Sequence, residues 1–254
     1  GVGLIGLITV QLLRASGCEV LAVDVNPERL ARAEEYGAQT ANPARGADPV
    51  TAAEAWTGGV GVDAVIICAS AKTDDIVHQA AQCCRKRGRI VLVGVVGLQL
   101  RRDDFYKKEL TFQVSCSYGP GRYDDKYEQA GQDYPLGYVR WTEGRNFEAI
   151  LRAMASDRLK VDGLITHRFP LAEAVRAYET MQRDPSCLGL ILEYPVSVNR
   201  APAVRLPVSP SRKGEDAIVA VVGAGGFANG ILLPLLKETP ARIGFIADLN
   251  GAAA

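Results

Sequence analysis

The chain has 254 residues, 48% of them hydrophobic, enough for one large domain or two ordinary ones with a real core. Its 29 basic and 29 acidic side chains leave no formal net charge, which excludes a strongly basic nucleic-acid binder and a polybasic membrane anchor. The apolar run from Val2 to Leu13 is too short to span a bilayer and is broken by Gly3 and Gly6, and no basic stretch with a cleavage site precedes it, so neither a membrane segment nor a signal peptide is expected.

Gly1, Gly3 and Gly6 form G-x-G-x-x-G at the start of the sequence. Leu4 to Leu13 then reads as an apolar helix stopped by Gly17, and Val20 to Val23 as a buried strand ending at Asp24, 18 residues past Gly6. This is the pattern of a dinucleotide-binding β-α-β turn. Gly1 permits the tight turn, Gly3 leaves room for a pyrophosphate, and Gly6 lets helix pack on strand. The helix N-terminus at Leu4 and Ile5 offers free N–H groups to phosphates. Asp24 can accept both adenosine ribose hydroxyls and repels a 2′-phosphate, which favours NAD over NADP. Arg29 opposes that preference, or is simply a solvated residue of the helix that Asn26-Pro27 starts. A packing turn that binds nothing is the alternative for the glycines.

Pro27 to Tyr36 is predicted as a helix and Ala64 to Cys68 as a buried strand. Thr73 to Arg87 follows as a helix, with Arg85, Lys86 and Arg87 favouring its C-terminal end. Ile90 to Val93 and Leu110 to Ser115 read as further strands. The repeated strand-helix-strand order predicts an α/β, Rossmann-type doubly wound parallel sheet. Such sheets bind ligands at the C-terminal ends of their strands, which places Ala69, Ser70, Gly94 and Val95 near the nicotinamide.

Cys116 to Asn146 has no clean period and is rich in Gly, Tyr and charge. Tyr118, Arg122, Tyr123, Asp124, Tyr134, Tyr138, Arg140 and Trp141 line either a sugar or acid pocket or a rigid aromatic excursion. Phe147 to Ala155 is predicted as a helix, and Pro170 is expected to start another through Met181. His167, just before it, and His78, inside a helix, are expected to be structural. The six cysteines lack zinc-knuckle spacing and read as small buried hydrophobes of a reducing cytosol; with only two histidines, no metal site is assigned within this sequence.

Leu188 to Tyr194 reads as a strand. Residues 196–215 read as a linker. Ala217 to Val222 is then a strand leading into Gly223, Gly225 and Ala228 as G-x-G-x-x-A, with Phe227 in the turn. A helix and a strand, Ile243 to Ala247, end at Asp248, giving a second NAD(P)-binding fingerprint. The expected organisation is 1–118, a NAD-binding domain without its first strand; 119–195, a loop and closing segment; 196–215, linker; and 216–254, the start of a second Rossmann domain. A strand is expected upstream of Gly1 and more strands beyond the second unit, so the sequence is expected to lie within a longer protein.

Residues 1 to 195 resemble the cofactor domain and closing segment of medium-chain, zinc-type alcohol dehydrogenases, through GVGLIG, VLAVDVNPERLARAEEYGA, VDAVIICAS, GRIVLVGVVG, THRFPLAEAVRAYETM and CLGLILEYP. Residues 217 to 251 resemble the start of the glucose-fructose oxidoreductase/inositol dehydrogenase family, through GAGGFANGILLPLLK and IADLNG. With SYGPGRYDDKYE and YPLGYVRWTEGRN the order resembles bi-domain oxidoreductases associated with surface-polysaccharide or modified-sugar biosynthesis. The resemblance implies a cytoplasmic NAD(P)-dependent dehydrogenase, in which hydride passes between nicotinamide and an alcohol or carbonyl carbon of a sugar-derived small molecule. It also implies zinc held only through an N-terminal domain absent here, compatibility with a homo-oligomer, and no activity from this stretch alone. A zinc-independent quinone or enone reductase and a non-catalytic dinucleotide sensor are the alternatives. No catalytic residue is assigned.

Overall fold

The computed structural model describes residues 1–195 and 217–249; the linker expected at 196–215, residue 216 and residues 250–254 lie outside the described residues. The chain divides into two compact units, Gly1–Val196 and Ser197–Ala254.

In the first unit the helices are α1 (Leu4–Ala15), α2 (Pro27–Glu35), α3 (Pro49–Trp56), α4 (Asp75–Cys83), α5 (Arg102–Tyr106), α6 (Asp125–Glu128), α7 (Glu143–Ala155) and α8 (Ala174–Arg183). The strands are β1 (Leu21–Val23), β2 (Gln39–Ala41), β3 (Val62–Ile67), β4 (Cys84–Leu92), β5 (Thr111–Val114), β6 (Ile165–Pro170) and β7 (Gly189–Glu193). All pair in parallel, as β1-β2, β3-β4-β5 and β6-β7. Parallel neighbours joined by helices are the expected doubly wound architecture.

Two apolar clusters hold this unit. Leu7 and Val10 of α1 pack with Ala22 of β1, Leu30 and Ala33 of α2, and Leu164. Ile67 of β3 and Ile90 and Leu92 of β4 pack with Val77, Ala80 and Ala81 of α4. A polar clasp ties the closing segment to the first cluster. The buried Gln11 amide donates to the Lys160 carbonyl at 3.0 Å and accepts the Lys160 N–H at 2.8 Å, and Arg32 reaches the Gly163 carbonyl. Gln11 thus interrupts an apolar helix without leaving a buried polar atom unpaired.

Two predicted boundaries shift for identifiable reasons. The helix expected through Arg87 stops at Cys83, and Cys84 already belongs to β4. Arg85, Lys86 and Arg87 therefore do not cap it. Lys108 does so instead, its ammonium donating to the carbonyls of Ala81, Gln82 and Cys84 at 3.1, 2.7 and 2.8 Å. Pro170 ends β6 and at the same time caps a 3-10 turn, Leu171–Glu173, that runs into α8 at Ala174, so the expected helical run does start after Pro170 but becomes an α-helix only four residues on. The extended backbone at 165–170 is set by pairing with β7, a contact from 24 residues downstream. His167 consequently lies within the strand, bonded to the Thr166 hydroxyl at 2.9 Å and 3.4 Å from Asp184. His78 meets Asp104 at 2.7 Å, pinning α4 to α5.

The cysteines are all free. Cys83 and Cys84 are buried as expected, whereas Cys18 and Cys116 are exposed. Burial pushes the Cys83 and Cys84 thiols up to about 11, so both stay protonated and unreactive near neutrality.

The second unit holds β8 (Ile218–Val222) and β9 (Arg242–Ala247), paired in parallel, with a helical run between them. That run has wider π spacing over Ala228–Leu232 and continues as α9 (Leu233–Lys237). Pro234 lacks the N–H a regular turn would use, and the wider turn before it absorbs the loss.

Candidate functional site

The Gly1–Gly6 turn lies between the ends of two strands. The Val2 N–H donates to one Asp24 carboxylate oxygen at 2.7 Å, at the end of β1, and the Asn26 N–H donates to the other at 2.8 Å. Gly1 sits against Ala69, just past β3, where an added Cβ would come within 2.9 Å of the Ala69 Cα. A Cβ on Gly6 would run into the Gly1 carbonyl, and one on Gly94 into the Ala69 carbonyl. These three glycines are therefore required by packing.

Gly3 differs. A Cβ there would meet only the Arg29 guanidinium, 4.0 Å away. Its smallness serves no neighbour in the chain and leaves an open approach over the start of α1. Gly3 caps α1 without a side-chain hydrogen bond, and the first turn holds no acidic residue. The first-turn N–H groups at Leu4 and Ile5 have no intrahelical acceptor, and both residues are exposed. This cradle fits a dinucleotide pyrophosphate, with Asp24 beside it for a ribose.

Asn26 caps α2 as predicted, accepting from the Glu28 and Arg29 N–H groups at 2.9 and 3.1 Å. The cap turns Arg29 back toward Gly3, and Arg29 forms no ion pair among the described residues. Ala69 and Val95 are joined by the Val95 N–H to the Ala69 carbonyl at 3.1 Å, and Ser70 bridges Val95 in parallel. The ends of β3 and β4 therefore stand side by side, in reach of the glycine turn.

The segment 116–146 leaves the end of β5 on this same edge. Tyr127 is its centre, stacked on Tyr134 at 5.8 Å and tilted against Tyr118 at 6.2 Å. Gly121, at φ 100°, lies so close that a Cβ would come within 2.6 Å of the Tyr127 ring. Tyr134 donates to Asp124, and Tyr118 and Arg122 both donate to Glu128. These bonds hold the Asp124 and Glu128 carboxyls below the usual range. Arg145 pairs with Asp133 at 2.9 Å and donates to the carbonyls of Tyr134 and Val139. Tyr138 and Trp141 remain exposed, with Arg140 over Trp141 at 4.1 Å. Tyr127 and Glu128 were not among the residues singled out from the sequence. Their spacing to Tyr118, Gly121 and Tyr134 has no regular period, so only the fold reveals them.

In the second unit the Ala224 N–H donates to Asp248 at 2.6 Å, repeating the clasp between Val2 and Asp24. Added Cβ atoms on Gly223, Gly225 and Gly226 would meet nothing within 4 Å. Together with Phe227, Ala228 and Asp248 they line an open groove of about 790 Å³.

Among the described residues no group of three or more His, Cys, Asp and Glu side chains converges as a metal site would. No helix among them is long and apolar enough to cross a membrane.

The fold and turn define a dinucleotide-binding α/β protein. Residues 5–132 match the family model for zinc-binding dehydrogenases, and the chain belongs to that family. It is 30% identical to an alcohol dehydrogenase of Rhizobium meliloti (strain 1021), over 65% of this chain and 47% of that protein. It is 29% identical to an L-threonine 3-dehydrogenase of Symbiobacterium thermophilum, over 71% and 46%. Among solved structures, alcohol dehydrogenase TADH from Thermus sp. ATN1 superposes with a TM-score of 0.59 at 26% identity, over 77% of this chain and 51% of that one. The 2R,3R-butanediol dehydrogenase from Bacillus subtilis gives 0.60 over 76% and 48%, at an identity of 24% that shows the fold alone. The chain spans about half the length of the curated relatives it matches. The donor set of the described residues does not fit the zinc of the family's name.

The resemblance of residues 217–251 to the glucose-fructose oxidoreductase/inositol dehydrogenase family is corrected. The matches describe a single medium-chain dehydrogenase fold over about 76% of the chain, with no support for a fused second family. The β-α-β unit with its glycines is real, but one such unit is common to many dinucleotide folds and does not identify a family.

Proposed function

We propose that the chain is the cofactor-binding part of an NAD-dependent dehydrogenase that interconverts an alcohol and a carbonyl. The carrying observation is the open Gly3 between the packed Gly1 and Gly6, in a turn whose Val2 N–H donates to Asp24. NAD, when bound, supplies the hydride acceptor at its nicotinamide. In this reading the Leu4 and Ile5 N–H groups hold the pyrophosphate and Asp24 accepts from the adenosine ribose. Arg29 lies beside the phosphates. Ala69, Gly94 and Val95 form the floor under the nicotinamide, mainly through backbone groups. Gly223, Gly225, Phe227, Ala228 and Asp248 are a second candidate cradle of the same construction. The substrate in this reading is a sugar-derived alcohol and the setting cytoplasmic. The surface-polysaccharide role rested on the resemblance now corrected and is not carried forward.

The unpaired Arg29 supports a second reading, a reductase of the same superfamily that uses NADPH. Calorimetric titration of the full-length protein with NADH and NADPH separates the two. Tighter NADH binding, weakened by Gly3→Val, supports the first. Tighter NADPH binding supports the second, and a Gly3→Val protein that binds either cofactor as well as wild type overturns both.

A further inference from the structure

The dinucleotide reading gives a pyrophosphate one cation, Arg29, while Asp24 adds a negative charge beside it. Another cation stands at the same edge of the sheet, in the loop after β3. The backbone there continues in register with the end of β4. The Val95 N–H donates to the Ala69 carbonyl at 3.1 Å, and the Ala71 N–H donates to the Val95 carbonyl at 2.9 Å. Lys72 follows directly. The Gly97 N–H then donates to the Thr73 carbonyl at 3.0 Å, so both chain neighbours of Lys72 are tied to the stretch after β4.

Side chains along an extended stretch alternate between the two faces of a sheet. Ile67 belongs to the cluster around α4, and Ala69 and Ala71 pack against that cluster. Cys68 lies on the other face, its sulfur 3.9 Å from the Thr9 hydroxyl of α1. Ser70 shares the face of α1, the helix whose first turn carries the cradle, and Ala69 itself touches Gly1. Lys72 is exposed where this extension bends, and it forms no ion pair or hydrogen bond among the described residues. Nearby Asp75 is already engaged, by the Thr73 hydroxyl at 2.8 Å and by Arg101 at 3.6 Å. Three Cα steps put the Lys72 backbone at most about 11 Å from Ala69, a distance that a flexible four-carbon stem covers in large part.

We propose that Lys72 is a phosphate-binding residue, whose ammonium pairs with the pyrophosphate of a dinucleotide seated on the Gly3 turn. The inference rests on the dinucleotide reading and deepens it. The turn lies between the ends of β1 and β3, so Arg29 approaches from one side and Lys72 from the other. Two cations then meet the two phosphate charges, and Asp24 is left to the ribose. The Leu4 and Ile5 N–H groups fix where the phosphates sit. Lys72 adds a point charge on a mobile stem, a contribution that follows charge rather than exact shape and is screened by salt.

The test is calorimetric titration of the full-length protein with NADH, NADPH and adenosine, at low and high salt, for wild type, Lys72→Met and Lys72→Arg. Lys72→Met should weaken NADH and NADPH to a similar degree, about tenfold at low salt, the usual effect of losing one charge-assisted contact. The loss should shrink at high salt, and Lys72→Arg should restore most of the affinity. Adenosine, which carries no phosphate, should bind Lys72→Met as it binds wild type, and the melting temperature should not move. Equal NADH affinity in wild type and Lys72→Met overturns the assignment while leaving the dinucleotide reading in place. So does a loss confined to NADPH, which would put the ammonium on the 2′-phosphate, or an equal loss for adenosine, which would make the role structural. Wild-type protein that binds neither NADH nor NADPH overturns both.

Discussion

Replacing Lys108 by methionine tests how α4 is terminated. The substitution keeps most of the apolar stem and removes only the ammonium, which donates to three carbonyls at 2.7 to 3.1 Å. A hydrogen bond from a charged donor is worth about 1.5–3 kcal/mol, and a cation at a helix C-terminus about 0.3–1 kcal/mol. The three bonds do not add, because Lys108 is only half-buried and water replaces part of what is lost. The expected destabilisation is about 2–3 kcal/mol. Arg85→Met is the matched control. The sequence placed Arg85 at this helix end, but the structure gives it an exposed ion pair with Asp63 at 2.6 Å. Its loss should cost at most about 1 kcal/mol. Urea unfolding followed by far-UV circular dichroism measures both. Equal losses, or a larger one for Arg85→Met, would refute the assignment of Lys108 as the cap.

Gly6→Ala should lower stability by about 1–3 kcal/mol because its Cβ has no space. Gly3→Ala should leave the melting temperature unchanged while weakening NADH at least about tenfold, since only an incoming ligand contests that space. Thermal melts and calorimetry on the pair check this. Asp24→Asn should weaken NADH more than NADPH, and Arg29→Ala should weaken NADPH more than NADH, as read by competitive binding. Titration with a thiol reagent at pH 8 should find Cys18 and Cys116 fast. Cys83 and Cys84 should be slow, with roughly one thiolate in a thousand for a thiol near 11. Their folded values lie above the unfolded 9.0, so the stability they confer is complete below pH 9. It should fall as pH rises from 9 to about 11, and urea midpoints across that range measure it.

The geometry of the glycine turn was legible because its signals are local. Three glycines, an apolar helix and an acid at the right distance fix the geometry within 24 residues, and Asn26-Pro27 announces α2 in the same way. The end of α4 was not legible, because the residue that terminates it lies 24 positions beyond Cys84, and the basic run at 85–87 offered a nearer but wrong answer. Pro170 suits a helix start and does cap the 3-10 turn before α8, while its pairing with Glu193 keeps Pro170 itself in β6. In the aromatic segment the sequence offered Tyr118, Arg122, Tyr123, Asp124 and Tyr134 but not Tyr127 or Glu128, which hold them. Their division into an internal core around Tyr127 and an accessible group around Glu128 depends on contacts that no periodicity encodes.

Among the described residues, every pairing partner in the four sheets lies 18 to 25 residues away along the chain. None of these strands can therefore zip onto its neighbour through a tight hairpin; each of these pairings must wait for an intervening helix to be made. On the ribosome, about 5–20 residues emerge per second, so each successive partner arrives roughly one to five seconds after the last. Closing a loop of this size takes far less than a millisecond. Strand pairs should accordingly assemble in the order of synthesis, β1-β2 before β3-β4, with the pace set by translation rather than by diffusion of the chain.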